Sequence, residues 1–157
     1  MSHKFAGLIQ RGGVFYHIRG NTPEEALKTL IFAIPILPSG IDREQLLTAV
    51  LEREALMSTA IGRGIALPHP RTPLITDPQE QQVIIAFLDR EVDWKALDGE
   101  AVHTVMLIIS ASTKFHLHTL SEINFLCRQE KFYAILKDRR AGEEIVKAVK
   151  EAEQTWQ

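Results

Sequence analysis

One imidazole in this sequence stands between two prolines. In Gly62-Arg63-Gly64-Ile65-Ala66-Leu67-Pro68-His69-Pro70-Arg71, His69 has an imino acid on either side. Proline disfavours the helical region for the residue before it, so Pro68 holds Leu67 extended and Pro70 holds His69 extended before any tertiary contact forms. A side chain on so stiff an arm loses little further freedom when it must meet an incoming group in one orientation. Neutral imidazole, with an ordinary pKa of about 6.5, keeps a lone pair for attack at neutral pH, and its other nitrogen can donate to a neighbour that fixes the tautomer. Acceptance of a phosphoryl group is reasonable chemistry for such a ring. The loop is equally compatible with a plain surface histidine, since loops carry both.

The remaining polar residues support less. His116-Leu117-His118 invites a metal site with His69 or His103. Residues two apart do not share a helix face, and no cysteine pair or Glu-x-x-His spacing completes a zinc set, so no metal is expected. His118 is expected to cap or pack locally. Arg71 reads as a solvated loop charge. Ser58 and Thr59 follow a helix, where hydroxyls commonly tie their own turn. Cys127, the one cysteine, follows Phe125 and Leu126 and reads as a buried thiol, in keeping with a reducing compartment.

These groups must be positioned by a small set of elements. Val14 to Arg19 has the aromatic and β-branched composition of a strand, and Gly20-Asn21 turns the chain. Thr22-Pro23-Glu24-Glu25 combines a hydroxyl cap, proline at the first helical position and a glutamate three residues after the cap, so a helix starts there. Leu27, Leu30, Ile31 and Ile34 form its apolar stripe, and Pro35 stops it. Asp42 and Gln45 offer a second cap for a helix carrying Leu46, Leu47, Val50 and Leu51, with Arg53 near its end. By default that arginine makes a helix-end ion pair.

Gly62 to Pro68 reads as a short strand running into a loop. Val83 to Leu88 and Thr104 to Ser110 are near-continuous apolar runs, the pattern of strands covered on both faces, with a turn at Asp98-Gly99 between them. Leu117, Leu120, Ile123, Leu126, Ile135 and Leu136 supply a further helical face, and Glu143 to Ala152 a charged terminal helix. Together these predict an α/β (α+β) fold: a three-layer α/β/α sandwich with a central mixed sheet flanked by helices.

The chain has 157 residues, 45% hydrophobic and 24% charged, which suits one domain over residues 1–157 with one hydrophobic core. A net charge of -2 with interspersed signs gives no basic footprint for nucleic acid. The apolar run Leu30 to Leu37 is too short to span a bilayer, and Met1 to Gln10 lacks the apolar core of a signal peptide. No membrane insertion or export is expected, and the expected location is cytoplasmic.

Three separated blocks share one further property. Arg53-Glu54, Ser58-Thr59, Ile61-Gly62 and Gly64-Ile65-Ala66-Leu67-Pro68-His69, then Trp94, Ala96, Asp98-Gly99 and Val102, then His116-Leu117 and Leu120, stand in one register. This resembles the fructose/mannitol-type (type 2) enzyme IIA domains of the bacterial sugar phosphotransferase system. The resemblance implies that His69 carries a phosphoryl group with Arg53 and His116 in support. It also implies an HPr-like phosphoprotein as donor, and a IIB domain or a regulatory target as recipient. An arginine fork and a donor near a helix start suit a group whose negative charge spreads over its oxygens, so no cofactor is expected. Thr113 to Leu120 is most similar to the standalone nitrogen-regulatory (PtsN-like) type, and the absence of fused IIB and membrane modules leans the same way. A sugar-specific IIA component and a binding module that accepts no phosphate remain the alternatives. Pro70 departs from the glycine or alanine that many relatives carry after the histidine, which stiffens the loop and bears on donor specificity.

Overall fold

The computed structural model describes residues 4–155. Two strands, β4 (Gln82–Val92) and β5 (Val102–Ile109), pair antiparallel through the middle of the molecule, with Val83 opposite Ile108 and Ile85 opposite Met106. Every β5 residue is buried, as an uninterrupted apolar run requires. Successive side chains point to opposite faces. Ile84, Ala86, Val105 and Leu107 therefore enter one packed cluster, while Val83, Ile85, Met106 and Ile108 enter another. Three shorter strands, β1 (Val14–Ile18), β2 (Ala60–Gly62) and β3 (Ile65–Ala66), complete a five-stranded sheet in the order β1-β4-β5-β3-β2. β1 and β3 run parallel to their central neighbours, and β2 is antiparallel to β3, so the sheet is mixed.

Helices cover both faces, which gives the three layers that the apolar strands predicted. α2 (Pro23–Ala33) and α3 (Arg43–Leu56) pack Leu27, Leu30, Leu46 and Val50 on one side. The other side takes α1 (Phe5–Gly12), α4 (Thr113–Cys127), α5 (Glu130–Lys137) and α6 (Gly142–Glu153) through Phe5, Ile123, Leu136 and Val149. The one core expected from chain length is thus two half-cores separated by the sheet. Among the described residues no helix is long and apolar enough to cross a membrane.

The helix starts follow their caps. The Thr22 hydroxyl accepts from the Glu25 N–H at 3.1 Å, and the Asp42 carboxylate accepts from the Gln45 N–H at 2.7 Å. The Glu25 carboxylate reaches back to the N–H of Asn21 at 2.8 Å, one residue earlier than a standard capping box has it. α1 was not legible, because it has two turns and no side-chain cap. Tertiary contact makes it: a Cβ on Gly12 would lie 2.1 Å from the Val83 carbonyl oxygen, so the helix backbone rests directly on β4. The face expected on α4 also shifts. Ile123 and Leu126 are buried, whereas Leu117 is 59% exposed and Thr119 and Glu122 are buried instead.

The segment read as one strand from Gly62 onward is a hairpin. Arg63 and Gly64 both take positive φ, 57° and 82°, the conformation that a two-residue turn between twisted strands demands. An arginine there is unusual, and several contacts hold it. Its guanidinium lies 3.8 Å over the Tyr133 ring and 3.1 Å from Glu130, while the Tyr133 hydroxyl donates to the Arg63 carbonyl at 2.7 Å. Gly64 has no such latitude, since a Cβ there would lie 2.4 Å from Cδ2 of the buried His103 ring. Gly64→Ala combines left-handed strain with overpacking and is expected to cost about 2 kcal/mol or more, read as a lower urea midpoint with the slope unchanged.

Candidate functional site

β3 continues past Ala66 as an extended arm. The Leu67 N–H donates to the Thr59 carbonyl at 3.0 Å, and the Pro68 carbonyl accepts from the Ile108 N–H at 3.0 Å. His69 therefore emerges, half-buried, at the end of central strand β5. Its Nδ1 lies 2.9 Å from the Leu67 carbonyl oxygen. A carbonyl oxygen only accepts, so Nδ1 carries the proton and Nε2 keeps the lone pair.

His116 stands in the first turn of α4, its ring centroid 4.2 Å from that of His69. Ser112 caps the helix, accepting from the Phe115 N–H at 3.2 Å. The His116 N–H is taken up by the Ser112 carbonyl at 3.0 Å. The amides that helix geometry leaves open are therefore those of Thr113 and Lys114, not that of His116. A hollow of about 100 Å3 lies between His69, His116, Ser110, Thr113 and Arg71. A larger open groove of about 1150 Å3 runs along α3 from Pro35 to Leu74, and neither histidine nor cysteine lines it.

Arg53 is the third residue of the set. It sits in the last turn of α3, where its Nη1 donates to the Met57 carbonyl at 2.7 Å. Among the described residues no carboxylate pairs with it, so the default of a helix-end ion pair does not hold. Its charge bears on both rings. Burial, first, pushes the His69 pKa below the ordinary value; the Leu67 hydrogen bond raises it, Arg53 lowers it, and Glu54 raises it. His116 is pushed down to about 4, by burial first and then by His69 and Arg53. Both rings are neutral at pH 7.

A depressed histidine pKa has a defined sign in stability. The unfolded chain binds the proton more tightly, so the His116 contribution is complete above about pH 6.5 and is lost as pH falls toward about 4. Glu122 works the other way, since burial raises its carboxyl to about 7 and its penalty grows as pH rises toward that value. The clean measurement is a comparison between proteins. On going from pH 7.5 to 5, the His116→Gln variant is expected to lose less urea stability than the wild type, and equal losses would contradict the assignment.

The other candidates separate from the site. Arg71 is exposed at the mouth of the hollow, with its N–H directed to the Ala49 carbonyl at 3.4 Å. Thr59 donates to the Glu54 carboxylate at 2.7 Å and ties its own turn, as expected, whereas Ser58 donates to the distant Trp94 carbonyl at 2.5 Å, a tertiary bond that no local signal announces. His118 lies 3.4 Å from Glu122 one turn along α4, the local packing foreseen for it. His103 is buried and faces Tyr133. Cys127 is buried with its thiol pushed up to about 12, chiefly by burial. Ser110, Thr113 and Glu54 were not singled out. A Ser-Ala-Ser-Thr cluster before an apolar helix was the available signal for the first two.

Of the three residues that the sequence brought forward, His69 on the extended arm and His116 at a helix start meet ring to ring, and Arg53 at a helix end is near enough for its charge to bear on both. A half-buried imidazole with a bare Nε2, a second imidazole against it and an arginine whose charge reaches both offer a lone pair and cationic help in one place. The chain belongs to the EIIA 2 family of the phosphoenolpyruvate-dependent sugar phosphotransferase system, whose sequence model matches residues 8–152.

Its relatives include a nitrogen regulatory protein and sugar-specific phosphotransferase components. The chain is 28% identical to the nitrogen regulatory protein of Bradyrhizobium diazoefficiens, over 88% of this chain and 89% of that protein. It is 27% identical to the mannitol-specific phosphotransferase enzyme IIA component of Staphylococcus aureus, over 93% and 97%. It is also 27% identical to the fructose-specific EIIABC component of Bacillus subtilis over 91% of its own length, but spans only 22% of that protein. Among solved structures, nitrogen regulatory protein IIA-Ntr from Neisseria meningitidis superposes with a TM-score of 0.76 at 18% identity, covering 88% of this chain and 94% of that one. IIA mannitol from Escherichia coli gives 0.68 at 19%, over 89% and 96%. At such identities these two establish the fold.

Proposed function

We propose that this protein is a cytoplasmic phosphocarrier, working as one domain over residues 1–157. It accepts a phosphoryl group on Nε2 of His69 from an HPr-like phosphoprotein and delivers it to a IIB domain or acts as a phosphorylation-dependent regulator. The observation that carries this is the hydrogen bond between His69 Nδ1 and the Leu67 carbonyl, which leaves Nε2 as the nucleophilic atom beside His116. In transfer, the Nε2 lone pair forms a bond to phosphorus while the donor's phosphorus–nitrogen bond breaks and its electron pair returns to the donor imidazole. Nδ1 keeps its proton, shared with the Leu67 carbonyl, and spreads the positive charge that develops on the ring. Arg53 and the ring N–H of His116 supply donors to the equatorial oxygens, with the first-turn amides of Thr113 and Lys114 nearby, so no metal or other cofactor is called on.

A regulatory role is the preferred recipient assignment, supported by the likeness to the Bradyrhizobium nitrogen regulatory protein along nearly its whole length. The likeness to the Staphylococcus mannitol-specific IIA component is as great and keeps the sugar-specific alternative open, and it is the Thr113 to Leu120 block that tips the preference toward regulation. The structure of Escherichia coli IIAMtl in complex with phosphorylated IIBMtl, which resembles this fold with a TM-score of 0.68, supports a IIB-type partner. Incubation with a phosphorylated HPr-type donor is expected to give an acid-labile, base-stable label on this chain. No label on the wild type would favour a binding module that accepts no phosphate.

A further inference from the structure

Glu54 lies in the last turn of α3, where the negative end of the helix dipole disfavours a carboxylate. Among the described residues no cation forms an ion pair with it. Its two oxygens instead grip one residue: Oε2 accepts from the Thr59 N–H at 2.8 Å and Oε1 accepts from the Thr59 hydroxyl at 2.7 Å. Thr59 is buried, and its carbonyl accepts from the Leu67 N–H at 3.0 Å. The Leu67 carbonyl in turn accepts from His69 Nδ1 at 2.9 Å. Three hydrogen-bonded steps, joined through the Cα atoms of Thr59 and Leu67, therefore connect the carboxylate to the imidazole.

Resting on the phosphocarrier assignment, we propose that Glu54 is a positioning residue: through Thr59 and Leu67 it holds the His69 ring in the Nδ1–H tautomer, so that Nε2 is the atom presented for phosphoryl transfer. The physical reason is twofold. The backbone that aims the Leu67 carbonyl at the ring is held at the Leu67 N–H by the Thr59 carbonyl, and Thr59 is in turn held on both its N–H and its hydroxyl by Glu54, with the Ser58–Trp94 bond beside it. Charge-assisted bonds to the Thr59 N–H and hydroxyl are also stronger than neutral ones, so a carboxylate holds that residue, and through it the Leu67 backbone, more firmly than an uncharged acceptor would. The charged and titratable groups facing His69 are Arg53 and Glu54 on α3 and His116 on α4, and only Glu54 favours positive charge on the ring.

The test reads the ring itself. Long-range proton–nitrogen correlation spectra of the wild type, recorded without a phosphoryl donor, are expected to show His69 with a protonated Nδ1 and a bare Nε2. In Glu54→Ala the two tautomers are expected to mix, and transfer from an HPr-type donor to slow by a factor on the order of 10, the usual loss when an outer partner of a functional histidine is removed. Glu54→Gln keeps an acceptor for the Thr59 N–H and is expected to restore the tautomer in large part. Thr59→Val, close to isosteric, removes one of the two carboxylate bonds and is expected to shift the same signals in the same direction, so the test stands even if Glu54→Ala does not fold. A residue that only stabilised the loop would lower the urea midpoint and leave the tautomer alone. Wild-type tautomer signals in a folded Glu54→Ala or Thr59→Val protein would overturn the proposal. A wild type with the expected tautomer and no label would instead sink the phosphocarrier assignment.

Discussion

His69→Ala is expected to take up no phosphoryl group from an HPr-type donor while remaining folded. The loss is complete because no other nucleophile occupies the position of Nε2: the His116 ring is adjacent, but it is anchored on a different element. Retention of the fold follows from what the side chain does for stability. It is half-buried and makes one hydrogen bond, to a carbonyl that water can reach once the ring is gone, so the cost is about 1 kcal/mol. Label incorporation and the urea midpoint, measured on the same preparation, check both halves. Residual label at the wild-type level would move the acceptor elsewhere, and global unfolding would make His69 a structural residue.

His116→Ala comes second in expected size. It removes one preorganised donor from a charge that develops in transfer, and is expected to slow phosphorylation by roughly one to two decades. The loss stays short of abolition because Arg53 and the first-turn amides of α4 remain. The effect belongs mainly in the rate of the transfer step at saturating donor, not in the donor concentration giving half the maximal rate. His116→Gln, which keeps an N–H donor, is expected to fall between the alanine variant and the wild type. An unchanged rate in the alanine variant would take His116 out of the site.

Much of the positioning was written locally. Thr22 and Asp42 start their helices in isolation from anything distant, because a cap satisfies amides within three residues of itself. The runs in β4 and β5 announced strands buried on both faces, since only an interior sheet tolerates apolar side chains on consecutive residues. Where the decisive contact was distant, the sequence was mute or misleading. α1 is held by the Gly12–Val83 approach across many residues of chain, so no local signal marks it. The hairpin at Arg63-Gly64 depends on Tyr133, Glu130 and His103, all far along the chain, and without them the segment reads as one strand.

By itself the sequence determined the stiff arm that presents His69, the capped helices beside it, the buried strands beneath it and the family to which the chain belongs, because each of these is set by neighbouring residues or by pattern. Only the tertiary structure decided that His116 packs against that ring with the charge of Arg53 bearing on both, that Nε2 is its open nitrogen and that Glu54 is linked to it. Those facts depend on distances between atoms remote in sequence, which are fixed when the sheet aligns the end of β3 with β5 and the helices close over its two faces.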